Sequence, residues 1–421
     1  MDVVHQRVAA LDISKTDAKV CIRVPGKRKG TFTREVTTWS ATTNQILALR
    51  DHLIGAGVSL VVMEATGVYW KPFYFVLEDG LEVMLVNARH VKNVPGRKTD
   101  VSDAQWLAQL GAHGLVRGSF VPPEPIRQLR DLTRARTRLT GERSREVQRL
   151  EKFLEDAGIK LSSVSSDIMG VSGRAMLEAL ISGVDDPTGP PDPTVLADLA
   201  KRRLRSKIPA LVEALTGRFT EHHAFLVRLH LDQVDRLTAA LDALAARIEA
   251  HIAPFRPAVE LLITIPGVDR RVAEVIVAET GADMAVFPTA DHLASWAGVA
   301  PGHRESAGKN KSGKTRPGNS YLKGALGIAA FGAAGTNGSW LQTRYRRLTA
   351  RRGPLRALVA IERSILVATW HMLTNQVPYT DLGADYYTRQ NPDRAARRAI
   401  GVLEALGYTV TLDHPDLEPA A

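Results

Sequence analysis

The chain has 421 residues, 44% of them hydrophobic and 24% charged, which is typical of a globular protein long enough for two or three domains. Lysine and arginine outnumber aspartate and glutamate by 55 to 45, so the net charge is +10 and the pI is near 9.7. This balance favours a polyanionic partner, and the lack of a membrane span or signal peptide predicts a cytoplasmic protein with no membrane contact.

Residues 1 to about 115 alternate apolar runs with helical patterns. Strands are predicted near 7–13, 18–24, 31–37, 58–64 and 82–86, and helices near 42–56, 70–79 and 100–112. The first three strands follow one another directly, which favours antiparallel pairing, whereas helices separate the later strands. The predicted fold class is a mixed α/β sheet, whose element order is the one expected of an RNase H-like (RuvC-like) fold.

Four acidic residues stand at structurally related places in this segment. Asp12 lies in the first strand, Glu64 ends the fourth, and Asp100 and Asp103 share one face at the start of a helix. Capping alone explains many pairs of this spacing, so a plain helix start competes with a metal site. Similarity to RNase H-like folds implies that the four acids converge on metal ions. An all-carboxylate set predicts Mg²⁺, and Lys98 is a candidate phosphate contact.

A long helix is predicted after the proline-rich residues 121–125, ending near 157, and it carries eight arginines but only three acids between 127 and 149. Because these acids are too few to pair the arginines, we favour a nucleic-acid-facing helix over a salt-bridged one. A second long helix over 220–252 repeats apolar residues every seven positions, which predicts a coiled-coil seam within an arm or between two copies. The predicted contacts on the first helix are Arg127, Arg130, Arg134, Arg138 and Arg145.

Residues 261–269 resemble a helix-hairpin-helix turn, although Asp269 stands where a second glycine is usual. Residues 296–323 form a loop rich in glycine and lysine, with Glu305 as its only acid. A serine among cations can attack phosphorus, because positive charge favours the alkoxide and the developing phosphorane; a flexible phosphate-binding loop is the alternative. Predicted nucleic-acid contacts here and in the following basic cluster are Lys309, Lys311, Lys314, Arg316, Lys323, Arg347 and Arg351.

The tail from about residue 378 has a basic helix over 394–406 and a short strand-like run over 408–412. Helix and strand together predict a small docked appendage, in contrast to a disordered end.

Taken in order, these features resemble one family. They are Asp12, Glu64 and Asp100-x-x-Asp103, a helical arm, I-P-G-V, then G-V-A-P-x-x-x-x-S-A-G-K and G-N-S-Y-L-K. This pattern is similar to the insertion-sequence one-hundred-and-ten family of DEDD transposases, described as bridge-RNA-guided recombinases, over residues 8 to 345. The expected domains are a RuvC-like domain (1–120), a helical arm (121–257), a transposase domain (258–345) and a basic extension (346–421).

The resemblance implies that the DEDD acids bind Mg²⁺ and that a serine of the transposase domain becomes joined to DNA. Matching the family's S-G-G-K pattern places that serine at Ser306, with Ala307 in place of the first glycine. Ser312 stands in a near copy of the motif and remains a rival. The implied partners are donor and target DNA, a structured guide RNA, and further copies of the chain in a dimer or tetramer.

Two other functions stay open at this point. A RuvC-like nuclease would hydrolyse branched DNA with water, and the serine loop would then only clamp a phosphate. In a non-catalytic nucleic-acid-binding protein, the acids would merely cap helices and pair with cations.

Overall fold

A computed structural model of the chain describes residues 3–28, 30–88, 103–184, 191–302, 305–310 and 313–411. The chain divides into two compact units, Met1–Val121 and Pro122–Ala421. The first contains a five-stranded sheet, and the described part of the second is helical apart from one short hairpin. The predicted mixed sheet followed by a mostly helical remainder is therefore confirmed, while the finer division into four domains stays a prediction.

The first unit is built on one sheet in the order β3-β2-β1-β4-β5. Its strands are β1 (Val8–Ile13), β2 (Asp17–Pro25), β3 (Phe32–Ser40), β4 (Leu60–Glu64) and β5 (Val83–Val86). The helices described in this unit are α1 (Thr43–Gly55), α2 (Trp70–Leu77) and α3 (Asp103–Ala112). β1, β2 and β3 pair in antiparallel fashion, whereas β4 runs parallel to both β1 and β5. The antiparallel start was predicted, and the order is consistent with an RNase H-like domain.

Helices cover both faces of this sheet at β1, β2 and β4. Leu11 and Met63 point towards α1 and α2, whereas the residues directly before them, Ala10 and Val62, point towards α3. Parallel strands covered on both sides have to be apolar at nearly every position, which explains why β4 reads as an uninterrupted apolar run until Glu64. Side chains further along β1 and β4 continue to alternate between the two faces, and this alternation determines the face on which Asp12 and Glu64 lie.

The second unit begins with a long helix. Its helices up to residue 252 are α4 (Glu124–Asp156), α5 (Leu161–Val164), α6 (Val171–Ser182), α7 (Pro193–Asp198), α8 (Ile208–Leu215) and α9 (Glu221–Ile252). They are followed by α10 (Arg256–Ile263), α11 (Arg270–Thr280), α12 (Ala290–Ala297), the hairpin strands β6 (Glu305–Ser306) and β7 (Lys309–Asn310), α13 (Ser320–Gly335), α14 (Trp340–Arg352), α15 (Pro354–Asn375), α16 (Tyr386–Gln390) and α17 (Pro392–Ala405).

The helices α4 and α9 pack along each other in opposite directions. Arg143 Nε donates to Thr238 Oγ1 over 2.8 Å, and further along the pair His223 Nε2 lies 3.2 Å from Asp156 Oδ2. Residues later in α4 therefore contact residues earlier in α9, so the two helices are antiparallel. Of the seam residues that the seven-residue repeat predicts in α9, Val227, Val234, Leu237 and Ile248 are buried, whereas Leu241 and Leu244 are half-buried. The coiled-coil description itself stays a prediction.

The turn between α10 and α11 is held by close backbone packing. Gly267 has a φ of +85°, and a Cβ at this position would lie 2.2 Å from the carbonyl oxygen of Ala329 on α13. Asp269 caps α11, because its Oδ1 accepts the backbone N–H of Val272 over 2.8 Å. The acid that departs from the usual glycine pattern therefore has a structural use. The helix-hairpin-helix assignment remains a prediction.

Among the described residues, one helix, α15, could cross a membrane by its length and composition, whereas the sequence predicted no such span. It contains the half-buried polar residues Ser364 and Trp370, and the indole of Trp370 donates to the carbonyl oxygen of Phe287 over 2.8 Å. Ile361, Ile365 and Leu373 are buried among neighbouring helices. Such burial is typical of a core helix.

The predicted C-terminal strand is wrong where the structure describes it. Residues 408–411 form no strand, and α17 buries none of its residues. An extended segment needs a partner strand for its backbone N–H and C=O groups, and the described part of the second unit offers no such strand next to it. The basic helix is present, but the docked helix-and-strand appendage is not.

Candidate active site

Asp12 and Glu64 lie side by side at the ends of two parallel strands. The register pairs Leu11 with Met63, so the next residues, Asp12 and Glu64, are neighbours across the strands. Because side chains alternate along a strand, both carboxylates belong to the face that α3 covers. The sheet therefore brings together two of the predicted acids.

The orientation of α3 brings Asp103 to the same end of the sheet. Gly111, near the end of α3, packs on Val8 at the start of β1, and a Cβ at this glycine would lie 2.7 Å from Val62 Cγ2. The eight residues from Gly111 back to Asp103 span about 12 Å along the helix. The four residues from Val8 to Asp12 span about 13 Å along the strand. Asp103 and Asp12 therefore lie at matching heights.

The charges of these two acids interact. Partial burial, and then the negative charge of Asp103, raise the pKa of Asp12 above its ordinary value, while Lys19 acts in the opposite direction. Two carboxylates that repel each other in this way are relieved by a cation placed between them. The donor set is thus chemically suited to a hard divalent cation such as Mg²⁺.

The described residues do not form a complete metal site. Within them, no three His, Cys, Asp or Glu side chains are grouped closely enough to hold one ion. Asp100, the fourth predicted acid, and Lys98 lie outside the described residues. The metal-binding role of all four acids accordingly stays a prediction.

Ser306 lies beside the tip of a short β-hairpin. β6 and β7 are antiparallel, with Ser306 opposite Lys309 and Glu305 opposite Asn310. Only Ala307 and Gly308 connect the strands, and both have positive φ, +50° and +72°. Two successive left-handed residues are typical of a type I′ hairpin turn. The candidate nucleophile therefore belongs to a defined turn, while its rival Ser312 lies outside the described residues.

The departure from the S-G-G-K pattern falls at a strained position. Ala307 has a Cβ in the left-handed region, which costs about 1–2 kcal/mol relative to the right-handed region. Glycine has no such penalty. The family pattern places glycine where the turn needs it, and this chain tolerates alanine at the cost of strain beside Ser306.

The motif that follows the serine loop anchors it to the helical unit. Gly318 has a φ of +58°, and a Cβ there would lie 2.1 Å from the carbonyl oxygen of Ala297, which only glycine allows. The next residue, Asn319, caps α13 by accepting the N–H groups of Tyr321 and Leu322, each over 3.1 Å. Its amide nitrogen donates to Glu279 over 2.6 Å. The sequence pattern predicted a basic motif, and the anchoring role of Asn319 was not predicted.

Glu279 is fully buried and binds two of the arginines predicted to contact nucleic acid. Arg134 donates to both of its carboxylate oxygens over 2.7 Å each, and Arg130 Nε lies 3.3 Å from Oε2. Arg136 pairs with Glu274, one turn earlier on α11, over 2.6 Å. The prediction that these arginines lack acidic partners is wrong, because their partners come from another helix. Arg130 and Arg134 hold the unit together.

The other residues predicted to contact nucleic acid differ in their exposure and in the groups they contact. Arg138 and Arg145 are exposed on α4, and Arg127 donates to the Pro122 carbonyl oxygen over 3.1 Å. On α14, the guanidinium of Arg347 stacks over Tyr387 at 3.8 Å. Lys314, Arg316 and Arg351 are exposed, Lys323 is half-buried, Lys309 belongs to β7, and Lys311 lies outside the described residues. Nucleic-acid binding by these residues stays a prediction.

Comparisons with known proteins match both units. Residues 9–159 match the DEDD family of IS110 type, described as Transposase, and residues 259–346 match the Transposase IS116/IS110/IS902 family. The insertion element IS900 uncharacterized 42 kDa protein of Mycobacterium paratuberculosis is 27% identical over 399 residues, 88% of this chain and 96% of that protein. The insertion element IS110 uncharacterized 43.6 kDa protein of Streptomyces coelicolor is 33% identical over 175 residues, 41% of this chain and 38% of that protein.

A sheet domain with acids at its strand ends, followed by a helical transposase segment, defines a DEDD-type DNA transposase, an enzyme that recombines DNA. The chain belongs to the IS110 family of insertion-sequence transposases. The predicted family and enzyme class are thereby confirmed.

Proposed function

We propose that this transposase cuts and rejoins DNA through a covalent link between Ser306 and a DNA phosphate. The observation that carries this proposal is the two-residue hairpin, in which both connecting residues have positive φ and Ser306 stands directly before them. Such a turn gives the serine backbone a fixed position on an exposed tip, a requirement for attack on phosphorus in a defined direction.

In the first step, a bond forms between Ser306 Oγ and phosphorus while a phosphorus–oxygen bond to a DNA sugar breaks. The serine loses its hydroxyl proton and the departing sugar oxygen gains one. In the second step, a sugar hydroxyl of another strand attacks the same phosphorus and restores the free serine. The number of phosphodiester bonds is conserved, which distinguishes recombination from hydrolysis.

Asp12, Glu64, Asp100 and Asp103 would hold Mg²⁺, supported by the repulsion between Asp12 and Asp103. When bound, Mg²⁺ stabilises negative charge on the phosphate and the departing oxygen. Target choice would come from pairing with a structured guide RNA, and the enzyme would act on DNA as a homo-oligomer of two or four chains. Support for these last points is the resemblance to the family.

A denaturing gel tests the serine link. Purified protein is incubated with Mg²⁺, guide RNA from the flanking DNA, and labelled target DNA, and a protein–DNA band is expected. Ser306→Ala should remove the band, Ser312→Ala should keep it, and Asp12→Asn should block all cleavage. Cleavage by Ser306→Ala at the native rate would favour a nuclease that uses water. Retained activity in Asp103→Asn would remove the case for the metal site.

A further inference from the structure

Arg23 is a buried arginine without a compensating acid. It is 3% exposed, and among the described residues its Nε and Nη1 atoms have no hydrogen-bond partner. Its guanidinium stacks over the ring of Phe32, with the carbon 3.5 Å from the ring centre. Burial of an unpaired charge costs free energy, and a bound group with negative charge would offset that cost.

A second arginine lies directly opposite. The register of β2 and β3 pairs Arg23 with Arg34, so both side chains belong to the face that α3 covers. Arg34 is exposed and donates from Nη2 to Gln109 Oε1 on α3 over 3.2 Å. Like charges placed directly opposite each other on a sheet are destabilising. Burial, and then the charge of Arg34, lower the pKa of Arg23, and no described carboxylate opposes this.

The candidate metal-binding acids do not offset the positive charge of Arg23 and Arg34. β1 pairs Arg23 with Val8 but Asp12 with Lys19, so Arg23 lies four residues along the strand from Asp12. This corresponds to about 13 Å, too far for an ion pair or a hydrogen bond, and no described carboxylate is among the groups that shift the pKa of Arg23. The turn joining β2 and β3 adds the exposed cations Lys27 and Arg28. The hairpin therefore presents a local excess of positive charge.

We propose that Arg23 and Arg34 bind a phosphate of a nucleic-acid backbone, with Lys27 and Arg28 contacting neighbouring phosphates. Repeated phosphates suit a row of cations on one hairpin, and a planar guanidinium suits a phosphate's oxygens. This inference rests on the proposed function in one respect, namely that the bound phosphate belongs to a nucleic acid. The site is separate from Ser306 and from the acids.

Binding without Mg²⁺ tests this site independently of strand transfer. The full chain in EDTA is titrated against labelled single-stranded DNA, duplex DNA and RNA of one sequence, at 50 to 200 mM NaCl. Arg34→Gln should reduce the slope of log affinity against log salt by about 0.9 for duplex DNA or 0.7 for single strands. For duplex DNA, raising NaCl from 50 to 200 mM should therefore weaken binding by Arg34→Gln roughly threefold less than binding by the wild type. The polymer that shows the change identifies the bound strand.

Arg50→Gln is the matched control, because Arg50 of the same unit is paired with Asp51 and Asp79 and should bind like the wild type. Arg23→Met should weaken binding and raise the melting temperature, since it removes an uncompensated buried charge. An unchanged salt slope in Arg34→Gln, or a lower melting temperature with unchanged binding in Arg23→Met, would overturn the proposal and leave a purely structural arginine pair.

Discussion

The buried cluster around Glu279 gives the sharpest stability prediction. Its carboxylate is 0% exposed and receives two hydrogen bonds from Arg134 and one from Asn319, with Arg130 nearby. Glu279→Ala would remove the carboxylate that binds the Arg134 guanidinium, and Arg130 would keep its bonds to the backbone carbonyl oxygens of Ala278 and Glu279 but lose the nearby negative charge. Removing one partner of a buried ion pair costs about 3–5 kcal/mol, so the free energy of unfolding should fall by that amount.

The chain contains a matched control for this variant. Glu249 also pairs with two arginines, Arg256 and Arg270, but its side chain is 47% exposed. Exposed ion pairs contribute about 0–1 kcal/mol, so Glu249→Ala should change stability by no more than that. Both variants remove a glutamate that binds two arginines, and they differ mainly in burial.

Urea unfolding followed by circular dichroism compares the two variants with the wild type. A shift of the helical transition several times larger for Glu279→Ala than for Glu249→Ala is expected. Asn319→Ala should show a smaller loss of about 1–2 kcal/mol, because it removes a cap and one hydrogen bond to the carboxylate. If Glu279→Ala unfolds at the same urea concentration as Glu249→Ala, the buried cluster does not hold the helices together.

Three further predictions follow from local geometry. Ala307→Gly should stabilise the serine hairpin by a net ~0.5–1 kcal/mol and slow tryptic cleavage at Lys309 about two- to fivefold; faster cleavage would contradict the strain at this turn. Gly267→Ala should cost about 3 kcal/mol or more in urea unfolding, because the added Cβ meets the α13 backbone, and a neutral effect would exclude that close approach. Asp12→Asn should raise the melting temperature in EDTA, and Mg²⁺ should then stabilise the wild type but not the variant.

The sign of the Asp12 prediction follows from its pKa. A carboxyl group whose pKa is raised in the folded protein binds its proton more tightly there than in the unfolded chain. Stability therefore increases as the pH falls through the raised pKa, and the ionised form at neutral pH is destabilising. Removing that charge relieves the repulsion with Asp103. A lower melting temperature for Asp12→Asn in EDTA would contradict the proximity of the two acids.

The sheet was largely predictable because its signals are local. Apolar runs ending in Asp12 and Glu64 indicated buried strands, and the short connections between the first three strands indicated antiparallel pairing. The alternation of side chains then fixes the face of each acid once the register is known. Register and helix direction, such as the packing of Gly111 on Val8, depend on tertiary contacts and could not be predicted from one sequence.

The helical unit shows where local reasoning fails. Counting acids within α4 suggested free arginines, but the partner of Arg134 is Glu279, 145 residues further along the chain. In the same way, the G-N-S-Y-L-K motif suggested a basic loop, whereas Asn319 caps α13 and binds that glutamate. Long-range ion pairs leave no periodic pattern in a sequence. The signal available was a single acid, Glu279, in an otherwise apolar helix face.

Mass spectrometry of the covalent protein–DNA complex can identify the residue that is joined to DNA. Trypsin cleaves after Arg304, Lys309, Lys311 and Lys314, so Ser306 and Ser312 fall in different peptides. After nuclease trimming, we expect a nucleotide remnant on the peptide of residues 305–309, attached to Ser306. A remnant on Ser312, or complete cleavage of DNA with no remnant on either peptide, would exclude Ser306 as the nucleophile.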